Sequence, residues 1–467
     1  MRALLILPLI LYLILPTRNY YWDGVAIAVN IEKHASLALI LHPSHLIYAL
    51  CGSWLYRCAL ALGIKTRALF LMQGANAVLG GLCVPLFYRA LRGTGVTPSG
   101  RLAGALIFAF SATWWKFTTD ADAYVPSIFF LLCTYLLMAD GRHVILAGLA
   151  QAAAMLFHEL AILFLPVAWI VLRGRRRQTI EFTTFALVPV LSAYAMACRV
   201  VLGDGTLPSL LSWATAHSPD SAFDFNPLRD AALTLRGTAR LLFGGRIAGF
   251  HGDLLSRAAL AGFAIAAAVF LWALARGVKA AKWSAPPLAM IWWLSSYAVF
   301  LFFWMPQNTF YRLFYLAPLV AIASTAWRQA PGLLLVPVLF LWNFAFVIYP
   351  ESRPQSNAPL QFAMEQRDRW PPGTPIVFHR FHPDLWTISY FTPGTSWIGL
   401  DRADVAALNR ALDYAHTQRQ PLWIEADAYN MIASSSEGRD WLSRHEDPAG
   451  RVEFKDRKHD FRFSCTR

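Results

Sequence analysis

About eleven stretches of this chain read as membrane helices, near 3–16, 68–88, 102–117, 123–139, 143–157, 159–172, 179–201, 254–275, 285–304, 310–327 and 331–349. A span needs about 20 apolar residues, with a range of roughly 17–25. In lipid every backbone polar group must be satisfied within the protein, so such stretches become helices. Composition agrees. Of 467 residues, 57% are hydrophobic and 15% charged, where soluble domains carry roughly 25% charge. The expected fold class is therefore a polytopic α-helical membrane protein. The first stretch follows Met1-Arg2 and resembles a signal peptide, but no small-residue cleavage site follows Leu15-Pro16, which favours a retained anchor.

The net charge of +13 is uneven. Residues 351–467 carry 15 Lys and Arg against 16 Asp and Glu, and residues 1–350 carry 26 against 12. The excess lies in membrane loops, where the positive-inside bias operates, and it argues against nucleic acid as a partner. The run Arg173, Arg175, Arg176, Arg177 sets the cytoplasmic side, joined by Arg89, Arg92, Arg101, Arg142, Arg276, Lys279, Lys282 and Arg328. This orientation requires the apolar segment at 43–62 to lie in the outer interface rather than to span. Lys33, Arg57, Lys65 and Arg67 are then mild exceptions on the outside.

The acids sort themselves on this map. Of twelve in residues 1–350, Asp140 and Glu181 fall on the cytoplasmic side. Asp23, Glu32, Asp120, Asp122, Glu159, Asp204, Asp220, Asp224, Asp230 and Asp253 face out. Acids beside membrane helices are costly and mark function by default, so the chemistry is expected outside the cytoplasm.

Two further segments stand apart. In the loop at 203–253, Leu228, Ala231, Ala232, Leu235, Ala239 and Leu242 follow helical spacing, with Arg229, Arg236 and Arg240 on the other face. This reads as a helix on the membrane surface or as a packing helix between spans. Residues 1–350 thus form a membrane module and residues 351–467 a small extracytoplasmic α/β domain. Strands are expected at Pro375-Ile376-Val377-Phe378 and Pro421-Leu422-Trp423-Ile424, with a helix from Arg402 to Gln418. Val452-Glu453-Phe454 and Phe461-Arg462-Phe463 are expected to pair. The six cysteines offer neither a disulfide framework nor metal spacing.

The N-terminal third carries a succession of motifs. Tyr21-Trp22-Asp23-Gly24 is followed by His42-Pro43-Ser44-His45-Leu46-Ile47-Tyr48, then Asn76 to Leu91 with Tyr88-Arg89. Phe110-Ser111-Ala112-Thr113-Trp114-Trp115 comes next, then Ala121-Asp122-Ala123-Tyr124, and Phe157-His158-Glu159 before Leu163-Phe164-Leu165-Pro166. This order over residues 1–175 resembles the N-terminal module of GT-C fold glycosyltransferases. It is most similar to the bacterial membrane proteins related to protein O-mannosyltransferases. In that group the first outer loop carries an acid, an HPP-type turn follows, and a second outer loop carries an acid before Tyr. Here His45 stands where that turn has glycine, and Asp122 is a methylene shorter than the usual glutamate.

The resemblance implies transfer of a sugar, with inversion, from a polyprenyl-phosphate carrier to a protein, lipid or glycan acceptor outside the cytoplasm, at the inner membrane. Such transfer needs a carboxylate to take the acceptor's proton and donors to hold the leaving phosphate. Asp23 is the candidate base, and an N-cap for the helix Val25 to Ile31 is its structural alternative. Asp122 would orient the acceptor or a divalent cation (Mg or Mn), or cap the helix containing Pro126. His158 and Glu159, at the tip of a helical hairpin, and Arg312 are candidates for the carrier phosphate. A structural histidine and a snorkelling arginine are the alternatives. His42 and His45 complete the substrate-binding set; as metal ligands at i, i+3 they lack a third partner. A flippase of lipid-linked glycans or a non-catalytic scaffold would show the same spans, but no internal repeat of the transporter kind is evident.

Overall fold

The structure is a computed structural model describing residues 5–141, 143–215, 225–245, 252–277, 287–326, 331–455 and 459–466. Met1, Arg2, Arg142, Asp220, Asp224, Lys279, Lys282 and Arg328, used above to orient the chain, lie outside the described residues. Two compact units emerge. One comprises residues 1–17 and 30–352, the other residues 18–29 and 353–467.

The first unit is helical. Among the described residues four of its helices are long and apolar enough to cross a membrane: Ala68–Thr94, Arg176–Leu202, Leu254–Ala273 and Gly332–Glu351. Five shorter apolar helices, Tyr124–Asp140, Val144–Phe157, Glu159–Val171, Leu288–Trp304 and Phe310–Thr325, occupy the other expected positions but two. Those two differ from expectation. The first described helix is only Leu7–Ile14. The stretch at 102–117 breaks at Ser111, whose backbone is extended (φ −60°, ψ 133°), into helices Pro98–Phe110 and Ala112–Thr118. The Ser111 hydroxyl donates back to the Ile107 carbonyl at 2.7 Å, competing with the helical ladder where it stops. The segment at 43–62 yields a 14-residue helix, Tyr48–Ala61, with Trp54 exposed. That length is short for a span and suits an interfacial helix.

Close helix packing rests on small residues, as expected in lipid. A Cβ at Gly148 would meet the Phe182 carbonyl oxygen at 2.8 Å, so the helices Val144–Phe157 and Arg176–Leu202 can touch only with glycine there. The amphipathic segment in the long loop forms the helix Pro227–Leu242. It buries Asp230, Gly237 and Leu241, and leaves Leu228 and Leu235 exposed. Asp230, Gly237 and Leu241 form its packing face, while Arg229, Arg236 and Arg240 are exposed alongside the two leucines.

The second unit holds a five-stranded sheet whose strands lie in the spatial order Ser396–Gly399, Pro375–Phe378, Leu422–Glu425, Asp460–Thr466, Glu446–Lys455. β1 (Pro375–Phe378) runs parallel to β2 (Ser396–Gly399) and to β3 (Leu422–Glu425). β5 (Asp460–Thr466) is antiparallel to β3 and to β4 (Glu446–Lys455). The expected late pairing is found, with Val452 opposite Phe463 and Phe454 opposite Phe461. The parallel strands need crossover helices, and Pro383–Phe391 and Val405–Gln418 supply them. The latter starts three residues after the expected Arg402 because Asp404 caps it, accepting from the Ala407 amide at 3.0 Å. Leu408, Leu412, Ile424, Ile432 and Trp441 form the core on that side.

Residues 18–29 are tied to this second unit locally. Asn357 donates from Nδ2 to the Arg18 carbonyl at 2.8 Å, and the Tyr20 ring stacks on Phe391 at 5.4 Å.

Candidate functional site

Polar groups in the middle of a long apolar helix organise the first unit. Gln73 and Asn76 sit three residues apart on the helix Ala68–Ala90, and both are buried. Gln73 Nε2 lies 3.0 Å from the carbonyl oxygens of both Thr17 and Thr119. Asn76 Nδ2 lies 2.9 Å from the Asp120 carbonyl and 2.7 Å from that of Asp122. The segment from Thr119 to Asp122 is irregular backbone without a ladder of its own. These two amides take its carbonyls, as buried backbone demands.

Asp122 is thereby fixed, with 4% of its surface exposed. It is not a helix cap: the following helix begins at Tyr124 with Ala123 in the cap position and no side-chain cap bond. Asp120, fully buried, accepts from the Ala121 amide at 2.8 Å.

Tyr124 gathers the next layer. Its ring centroid lies 4.9 Å from that of His158, 5.6 Å from Phe310 and 5.9 Å from Tyr311. The structure thus brings Asp122, His158 and the residues before Arg312 to one locality through Tyr124. His158 is buried where the helix Val144–Phe157 ends, and its Nδ1 accepts from the Leu160 amide at 3.2 Å. The ring proton of a neutral imidazole is then left on Nε2. Burial holds His158 well below the usual imidazole range, and His45 and His42 push in the same direction.

The turn carrying those histidines is pinned on two sides. The Ile47 amide donates to the Leu156 carbonyl at 3.1 Å, and Tyr194 donates its hydroxyl to the Pro43 carbonyl. The Ser44 amide donates to His42 Nδ1 at 3.3 Å. His42 and His45 stack at 4.5 Å with 15° between planes. His42, His45, His158 and the adjoining Glu159 thus form one cluster. Among the described residues no group of three or more His, Cys, Asp or Glu is placed to hold a metal ion.

Arg312 is completely buried. Nη1 donates to the Tyr315 hydroxyl and Nη2 to the Pro306 carbonyl, each at 2.6 Å. Both partners are neutral, and among the described residues no carboxylate pairs with the guanidinium. A buried charge held this way is costly unless an anion comes to it. Arg312 does not snorkel, because the chain folds over it.

Asp23 lies in the second unit, in the first turn of the helix Trp22–Glu32. That helix starts at Trp22, so Asp23 lies inside the first turn instead of capping a helix from Val25. Burial pushes its carboxyl up to about 7, in reach of proton exchange near neutral pH.

Several structurally prominent residues escape a reading by motif. Gln73 had a signal, an amide within an apolar span three residues from Asn76. Lys116 also had one, as the lone cation of the stretch at 102–117; it pairs with Glu351 at 3.3 Å. Gly237 had none, because only packing against Arg312 gives it meaning.

No family model matches the chain, and no curated protein matches it. Solved structures do. The crystal structure of ArnT from Cupriavidus metallidurans bound to undecaprenyl phosphate aligns with a TM-score of 0.60 at 11% identity, over 99% of this chain and 97% of that one. The apo crystal structure of the same protein aligns with a TM-score of 0.45 at 13% identity over the same shares. The chain has the fold of ArnT along its whole length, and the GT-C membrane fold implied by its N-terminal motifs is the one it adopts.

Proposed function

We propose that this protein is an inverting glycosyltransferase that moves a sugar from a polyprenyl-phosphate carrier to an acceptor on the extracytoplasmic side of the membrane. The carrying observation is the fold, shared over 99% of the chain with a protein whose crystal structure holds undecaprenyl phosphate. Arg312 adds support as a buried cation whose partners are neutral.

In this reading the acceptor oxygen or nitrogen attacks the anomeric carbon from the side opposite the phosphate. The bond from that carbon to the phosphate oxygen breaks, and polyprenyl phosphate leaves. Asp23 takes the acceptor's proton as the new bond forms. A base with a pKa near the working pH is poised for this, and Asp23 is held near 7. Asp122, fixed by its backbone bond to Asn76, orients the acceptor. Arg312 stabilises the charge on the departing phosphate. His158 offers a neutral N–H to the same phosphate, with Glu159, His42 and His45 holding its surroundings. The lipid chain needs only apolar helix surface.

The test is direct. Purified protein is analysed by mass spectrometry for co-purifying lipid and assayed with polyprenyl-phosphate sugars and cell-envelope acceptors. A bound polyprenyl phosphate and donor-dependent sugar transfer are expected. Carrier movement across vesicles without transfer would instead favour a flippase.

A further inference from the structure

The second unit contains a cavity of about 150 Å³ that the reaction as described does not use. Tyr21, Trp22, Asn357, Asp384, Thr387 and His459 line it. Its lining mixes aromatic residues with a carboxylate, an amide, a hydroxyl and an imidazole. Trp22 is 42% exposed, leaving ring surface open to a ligand. Asp384 sits in the first turn of the helix Pro383–Phe391, where the peptide dipoles favour a carboxylate. It is half-buried, and among the described residues its carboxylate has neither an ion pair nor a hydrogen bond. The cavity therefore offers an acceptor of hydrogen bonds beside an open aromatic face.

A ligand fitting this pair must donate hydrogen bonds to a carboxylate and lay polarised C–H groups on an aromatic ring. The electron-rich face of an aromatic ring attracts such edges. A phosphate or carboxylate ligand would meet Asp384 with like charge. A lipid chain would leave Asp384 desolvated and unpaired, which is costly. A hydroxyl-bearing sugar ring satisfies both requirements, and the volume suits about one ring.

Trp22 also precedes Asp23 directly in the chain. Whatever occupies the cavity lies within a residue or two of the carboxylate that takes the acceptor's proton. We infer that this cavity is the recognition subsite for a sugar ring of the acceptor, with Asp384 bonding its hydroxyls and Trp22 stacking on its face. The acceptor is then a glycan or glycolipid. This inference rests on the reading of Asp23 as the base.

The test uses the full-length protein in detergent, with methyl glucoside, methyl galactoside and methyl mannoside as probes in saturation-transfer NMR. Saturation of ring protons of at least one methyl hexoside is expected with the wild type. Asp384→Asn and Trp22→Ala should each remove it while leaving the thermal transition in place. In transfer assays both variants should raise the acceptor KM by about tenfold or more, the scale of one hydrogen bond to a charged group, with the donor KM unchanged. Asp23→Asn should still bind the hexoside. Equal saturation in wild type and variants, or an unchanged acceptor KM with an active enzyme, would overturn the subsite while the transferase reading stands. Specific hexoside binding in a protein that transfers nothing would overturn the transferase reading and, with it, the acceptor role of this cavity.

Discussion

Gly237 lies directly against the guanidinium of Arg312: a Cβ at that glycine would be 2.4 Å from Nε. The helix Pro227–Leu242 therefore closes over the buried cation only because position 237 has no side chain. The Tyr315 hydroxyl that receives Nη1 also lies 3.0 Å from Thr238 Oγ1, so the same helix secures Arg312 twice.

Arg312→Ala should weaken use of the lipid-linked donor by about tenfold to a hundredfold, following the roughly 1.5–3 kcal/mol of a hydrogen bond to a charged group. The acceptor KM should stay near wild type. Gly237→Ala should act in the same direction by displacing the guanidinium. Initial rates against donor concentration, at saturating acceptor, check both. A selective loss of acceptor affinity would move Arg312 to the acceptor side.

His158→Ala should also lower donor use, but by less than Arg312→Ala. Its imidazole is held neutral by burial, with His45 and His42 adding to the effect, so it contributes an uncharged N–H. Donor KM should consequently be insensitive to protonation of His158 between pH 6 and pH 8. Donor binding that strengthens in step with a histidine titration in that window would contradict this.

Asp23→Asn should lower kcat by about 10²–10⁴, the range of a positioned general base, with donor binding kept. Because Asp23 must be ionised to accept a proton, kcat/KM should rise with pH and level off above about 7. The mutant should lose that limb. Near-normal turnover in Asp23→Asn would leave the carboxylate a purely structural role in the first helical turn.

Asn76→Ala removes the donor between the carbonyls of Asp120 and Asp122. Each buried acceptor left unpaired costs about 1–3 kcal/mol. The melting temperature in detergent should fall, and transfer should fall further than stability alone accounts for, since Asp122 loses its anchor. An unchanged Tm would show that another group takes over the two carbonyls.

Sidedness needs a suitable probe residue. Cys465 is buried in β5, paired opposite Trp423, and should resist thiol reagents until the domain unfolds. Ser436→Cys, on an exposed position, should instead react with a membrane-impermeant maleimide in intact cells. Labelling only after lysis would place residues 353–467 in the cytoplasm.

The sequence by itself determined the class of fold and the order of its parts. Runs of apolar residues leave no alternative to helices in lipid, and nine of the expected stretches are apolar helices. Alternating apolar residues around 452–454 and 461–463 likewise specify a strand pair whatever surrounds them. Local chemistry also marked Asp122 and His158, since ionisable groups stand out among apolar neighbours. Other features depend on contacts between residues far apart in the chain, and no local pattern carries them. Ser111 breaks a stretch that hydropathy reads as continuous, because its hydroxyl turns back on the preceding turn. Gly237 means nothing until Arg312, 75 positions later, is folded against it. Asp23, Trp22 and Asp384 acquire a shared setting only when residues 18–29 join the C-terminal unit. Periodicity reports which face of an element is apolar; which charge is buried against neutral partners, and which cavity stays open, are decided by contacts between distant residues.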